Sequence, residues 1–247
     1  MTAQVRAELL KQRSTRTNLG LFSALLGLVL LVVLLHGFSL PARDLSRRSV
    51  QLPEMFGRGA MLGALFAALL GAMSITGEFR HGTIRPTFLT TPRRGRVVAA
   101  KVWASMLIGI AFGLSAAAVA AGVGSAALAA RGVKIQLDGG DYALLLAGGA
   151  AAAALWAAIG VGLGAVVRNQ VPTVVGICAW LLFVEGLLVG DAGSIGDVGR
   201  YLPGALGNAA SGQVPLLAPG LGVLLLAIYA AAAAAAGWMA TNRRDVA

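Results

Sequence analysis

Six apolar runs, at residues 19–38, 59–77, 97–130, 142–167, 171–190 and 216–240, leave this chain little choice but a helical bundle in a membrane. About 20 apolar residues cover the hydrocarbon core of a bilayer as a helix. Inside lipid a helix is the simplest element that satisfies all of its own backbone hydrogen bonds. At 57% hydrophobic and 12% charged residues, a chain of 247 also has too little charged surface for a soluble globule of its size. The predicted fold class is therefore an all-α polytopic membrane protein with six transmembrane helices. The third run exceeds what a bilayer needs, so it either tilts or places its first turns, around Lys101 and Trp103, in the interface.

The charges sit between the runs. A formal net charge of +10 would suggest nucleic acid in a soluble protein, but here the basic residues are confined to loops and termini, and no nucleic-acid partner is expected. Six spans put both termini on one side. If that side is cytoplasmic, it holds 13 Lys or Arg against seven outside, and the seven are nearly offset by Asp44, Glu54, Asp138, Asp141, Asp191 and Asp197. The bias predicts a multi-pass protein of the plasma (cytoplasmic) membrane with both termini cytoplasmic, although Arg43, Arg47, Arg48 and Arg58 in the first outer loop run against it. Residues 1–18 then form a cytoplasmic amphipathic N-terminal segment, 19–240 the six-span domain and 241–247 a cytoplasmic tail. The charged stretch before the first run is long and lacks a clear cleavage site, so that run reads as a retained span. Residues 2–17 can form a helix with Val5 and Leu9 on one side, either lying along the inner leaflet as an elbow or held as a basic tail near anionic lipid.

Between the second and third runs the chain concentrates Arg80, Arg85, Arg93, Arg94, Arg96 and Lys101 against a single acid, Glu78. Gly82 permits a bend, Thr83 can cap a short helix with Pro86 inside its first turn, and Ile84, Phe88 and Leu89 then share one face. Thr91 and Pro92 stop that helix. Either this is a solvated basic loop that sets topology, or it is an amphipathic helix waiting for a partner. Glu78 stands at the negative pole of the second span, an unfavourable place for an acid unless a nearby arginine, Lys101 or another protein compensates it.

Catalytic and metal signatures are scarce. His36 and His81 fall at opposite membrane faces, Cys178 is the only cysteine, and no lysine ends a glycine-rich phosphate loop, so no enzyme activity and no cofactor are expected in this chain. Glu185 is the one acid inside a predicted span. A carboxylate there is costly, which makes it a candidate for substrate passage or gating, or else a residue reaching the interface. Small residues recur at close spacing, as in Gly109 with Gly113, Gly160 with Gly162 and Gly164, and Ala231 to Gly237. They predict closely packed helices. The glycine-rich stretch from Asp191 to Pro215 is too broken to span, and fits either an ordinary loop or one or two short helices dipping back into the outer leaflet.

With those residues in view, the chain resembles the permease subunits of type-2 ATP-binding-cassette (ABC) exporters. The likeness is carried by Glu78, His81, Gly82, Thr83, Pro92 and Lys101, and more loosely by the basic N-terminal segment, the six spans, Glu185, and Leu202 with Pro203. The resemblance implies a type V-like fold with an N-terminal elbow helix, a coupling helix between spans 2 and 3, and short outer-leaflet helices between spans 5 and 6. It assigns coupling to Glu78, Arg80, His81, Gly82, Thr83, Ile84, Phe88, Leu89 and Pro92, and the translocation pathway to Glu185. It also implies two copies of a separate ABC ATPase that would bring ATP and Mg, a second permease half, identical or homologous, and surrounding membrane lipid. Pro86 departs from the pattern and puts the length of the coupling helix in question. A secondary transporter would need several intramembrane charges and broken helices, and a membrane enzyme a cluster of acid, base or metal ligands at one depth. A structural membrane subunit is the remaining alternative.

Overall fold

The computed structural model describes residues 2–84, 94–189, 196–213 and 217–243. Among them are six helices long and apolar enough to cross a membrane, and no strand. A separate N-terminal helix, Thr2–Ser14, precedes span 1, Arg16–Ser39. Span 2 is Gly57–Arg80, reached through a π-helical segment, Gln51–Phe56. Span 3 is Arg94–Ala130 and span 4 Gly139–Val167. Span 5 runs over Gln170–Leu188, and span 6 is Pro219–Arg243. Between the last two, a 3₁₀ turn at Gly196–Tyr201 leads into a short return helix, Pro203–Ala210.

Spans 2 and 4 form the centre. Of the most apolar 18 residues in each, 78% and 72% are buried, against 17% in spans 1 and 5, 22% in span 6 and 33% in span 3. Glycine explains how these two helices approach closely enough to hold that position. A Cβ on Gly71 would lie 2.1 Å from the carbonyl oxygen of Ala157, and one on Gly160 would lie 2.0 Å from that of Ala68, so spans 2 and 4 meet backbone to backbone. Dispersion over many close atoms, rather than exclusion of water, is what such a seam supplies in lipid. Gly148 does the same against Ala210 of the return helix, and Gly162 against Ala233 of span 6.

On the face opposite the N-terminus, buried polar groups tie the connections together. The Gln51 side chain is fully buried; its amide donates to the carbonyls of Leu45 and Lys134, and its oxygen accepts from the amide of Gln136. Asp138 and Asp141 form a reciprocal capping box at the start of span 4, and Arg48 reaches Asp141 at 2.6 Å. Arg131 donates to the carbonyls of Gly37 and Leu40, closing the end of span 1, and Arg58 pairs with Glu54. Several arginines that counted against the topology by charge alone thus have local partners.

Candidate functional site: a buried ionic joint at the N-terminal face

The N-terminal helix has almost no apolar stripe, yet it is docked. It presents a polar stripe instead: Glu8 and Gln12 are one turn apart and only 7% and 4% exposed, facing span 3. The partner of Glu8 is Lys101, a lysine 1% exposed in the body of the protein. Its ammonium donates to Glu8 Oε2 at 2.8 Å, Glu78 Oε1 at 2.8 Å and the carbonyl of Ser74 at 3.0 Å. All three of its protons are therefore used. Lys11 donates to Glu78 Oε1 at 2.9 Å and to Glu8 Oε1 at 3.3 Å, so two carboxylates face two ammonium groups. Beside this balanced set Gln12 donates to Ser105 Oγ at 3.1 Å, fixing the same helix to span 3 a turn further along.

This geometry answers the misplaced acid at the end of span 2. Glu78 sits at the negative pole of its helix, but two cations meet its carboxylate and one of them also takes the Ser74 carbonyl near that pole. Burial draws the Lys11 ammonium down, yet its hydrogen bond with Glu78 and the charges of Glu78 and Glu8 outweigh that and hold its pKa above the ordinary value. Removing one member of such a set strands the others without compensation. That typically costs about 3–5 kcal/mol when the group is deeply buried.

The joint stands where the chain leaves span 2. His81 closes the helix, its Nδ1 2.8 Å from the Gly77 carbonyl, and Gly82 turns the chain at φ +69°, the left-handed region that glycine enters at no steric cost. Arg80, His81 and Thr83 are exposed and line a cleft of about 640 Å³ together with Glu78, Lys101 and Gln170. Arg80 reaches Gln170 at the start of span 5, 3.4 Å away. Ile84 is helical and 2% exposed. Phe88, Leu89 and Pro92, with Arg85, Pro86, Thr91 and Arg93, lie outside the described residues, and so does the face that Ile84 was expected to share.

Arg168, which counted in the sequence only as a topology charge, closes the same face. It caps span 4 in the left-handed conformation at φ +57°, donates to the carbonyl of Ala240 in span 6 at 2.7 Å, and holds its guanidinium 5.4 Å from the centre of the Phe79 ring in span 2. A non-glycine residue in that region is strained, and its three-way grip is what holds it there.

Glu185 lies at the opposite end of the bundle, 6% exposed, apart from the ionic joint. A π-helical turn, Trp180–Val184, precedes it and shifts its direction by the extra residue that such a turn holds. Its Oε2 accepts from the Trp180 indole at 3.0 Å and the Gly204 amide at 2.9 Å, and its Oε1 from the Ala205 amide. The carboxylate thus caps the N-terminus of the return helix, where Pro203 supplies no donor and the helix dipole favours negative charge. Arg58, Trp156, Leu181 and Asn208 line a cavity of about 300 Å³ with it.

Glu8, Gln12, Arg168 and Trp180 were missed from the sequence. A lone acid four residues from Gln12 within a basic segment was the available signal for the first two; the arginine and the tryptophan offered none. No His, Cys, Asp or Glu cluster able to hold a metal occurs among the described residues. No curated protein sequence matches the chain. A family model described as ABC-2 family transporter protein matches residues 7–195, which take in the ionic joint, the turn at Gly82 and Glu185. The chain accordingly belongs to the ABC-2 transporter family and is a membrane-spanning permease component of an ABC transporter.

Proposed function

We propose that the chain is the permease subunit of an ABC exporter, lining the substrate pathway with a second permease half and driven by a separate ATPase present in two copies. ATP and Mg act in that ATPase. In this reading the plasma membrane holds the six spans, both termini face the cytoplasm, and Glu78, Arg80, His81, Gly82, Thr83, Ile84, Phe88, Leu89 and Pro92 form the segment on which the ATPase bears.

The observation that carries the reading is the buried Glu8–Lys101–Glu78 set. It fastens the end of span 2, the start of span 3 and the N-terminal helix to one another beside the segment that would receive the ATPase. A push on that segment would move three elements as one body, which is what mechanical coupling requires. Glu185 serves the far end: it holds the return helix over the cavity it lines, so its bonds would set whether that end of the pathway opens.

Phe88→Asp tests the docking step, because it would bury an unpaired charge in the apolar groove that the segment needs. The membrane subunit should insert normally while its ATPase copurifies poorly or hydrolyses ATP without transport. Wild-type copurification and wild-type transport-linked hydrolysis in proteoliposomes would defeat the proposal.

A further inference from the structure

A second feature of the N-terminal helix points outward rather than into the joint. Val5, Arg6 and Leu9, with Thr2, form one wall of a groove of about 340 Å³ whose other wall is Trp103 and Leu107 of span 3. Trp103 is 54% and Leu107 49% exposed, so apolar surface faces the groove without cover. Arg6 is exposed and has no ion pair or hydrogen bond with any described residue. Glu8, the one acid on that helix, is turned the other way to Lys101. The groove lies two residues along span 3 from Lys101, at the level where the N-terminal helix crosses the span and where tryptophan commonly marks the membrane boundary.

We propose that this groove binds an anionic phospholipid, with the phosphate at Arg6 and an acyl chain over Val5, Leu9 and Leu107. An apolar channel with one guanidinium at its rim that has no partner among the described residues matches a phosphate joined to a hydrocarbon chain, and Arg13, exposed on the same helix, adds attraction for anionic headgroups. The lipid would touch the two elements that the Glu8–Lys101 pair joins, so its occupancy would bias how firmly the N-terminal helix is seated. That consequence rests on the coupling role proposed above; the binding itself does not.

The test uses the purified full-length chain in nanodiscs containing brominated phosphatidylglycerol or brominated phosphatidylcholine, reading the tryptophan quenching that disappears in Trp103→Phe. Half-quenching by phosphatidylglycerol should need about fivefold less lipid than by phosphatidylcholine, the advantage expected for one cation near a headgroup. Arg6→Gln should erase the difference and Arg6→Lys should keep most of it, which separates lost charge from a misfolded helix. Millimolar inorganic phosphate should not restore the fluorescence. Equal quenching by the two lipids, an Arg6→Gln variant that still discriminates, or full displacement by inorganic phosphate would each overturn the proposal. No ATPase enters the assay, so failure here leaves the exporter reading standing, and failure of Phe88→Asp leaves this one standing.

Discussion

The two buried carboxylate joints of this permease are built on opposite principles. At the N-terminal face Glu78 and Glu8 are neutralised by full charges, Lys101 and Lys11, brought from helices far apart in sequence. At the other face the partners of Glu185 among the described residues are neutral N–H groups, two of them at the start of a helix about 20 residues away. A charge met by charge is indifferent to modest reorientation but intolerant of losing a partner, because the survivor is left buried and unpaired. A charge met by oriented backbone dipoles depends on direction, and releases its grip when the helix it caps turns. The first arrangement suits a joint that must transmit force without coming apart. The second suits a latch.

The contrast is sharpened first by Lys101→Met, which leaves both Glu8 and Glu78 without their buried cation. The expected loss of stability is about 3 kcal/mol, at the lower end for a broken buried pair because Lys11 remains. Thermal unfolding in detergent measures it, and hydrogen exchange should show the N-terminal helix losing protection first.

Glu185→Gln comes next. The amide keeps one acceptor but turns N–H groups toward N–H groups, so about 1.5–3 kcal/mol is forfeited, the worth of a hydrogen bond to a charged acceptor. Exchange at the Gly204 and Ala205 amides should speed up while the N-terminal face stays protected. Under the proposed function, transport falls while ATPase association persists. Loss of protection at both faces alike would mean that the two joints are not independent.

A smaller effect is expected at Lys11, whose side chain is 54% exposed. Its folded pKa stands above the ordinary 10.5, so its contribution is complete below that value and disappears as pH rises through the higher folded value. Exposure keeps that contribution below about 1 kcal/mol. Lys11→Met should therefore lower stability at neutral pH by less than about 1 kcal/mol and flatten the alkaline end of the stability curve, where the wild type loses that contribution as well. The smallest change belongs to Arg48→Gln: its partner Asp141 already serves the capping box, and the arginine is half exposed. A shift within about 0.5 kcal/mol is expected, and a larger one would show that surface pairs on that face carry more load than their exposure suggests.

What the sequence disclosed follows from which signals are local. The six spans were legible because apolar length is a property of a single segment, and the family likeness rested most strongly on residues within one stretch, Glu78, His81, Gly82, Thr83, Pro92 and Lys101. Gly82 was expected to turn the chain and does so at a positive φ. Lys101 was one of three compensators considered for Glu78, beside a nearby arginine and another protein, but its second acid, Glu8, stands 93 residues away, where no periodicity connects them. The N-terminal helix was read from its apolar side, Val5 and Leu9, whereas the face it buries against span 3 is polar, Glu8 and Gln12. Glu185 stood out as an acid in a span. That its carboxylate caps the return helix depends on the π turn at Trp180–Val184, which no residue pattern announces.

Under the proposed function the ionic joint carries movement from the segment that receives the ATPase into spans 2 and 3. Transport per ATP hydrolysed in proteoliposomes tests it most directly, comparing wild type with Lys101→Met and Glu78→Gln after confirming insertion and ATPase copurification. Lys101→Met should lower this ratio about tenfold or more. Glu78→Gln should lower it less, since Lys101 keeps Glu8. A wild-type ratio in Lys101→Met, with the N-terminal helix shown to be detached, would contradict the claim and leave the joint as packing alone.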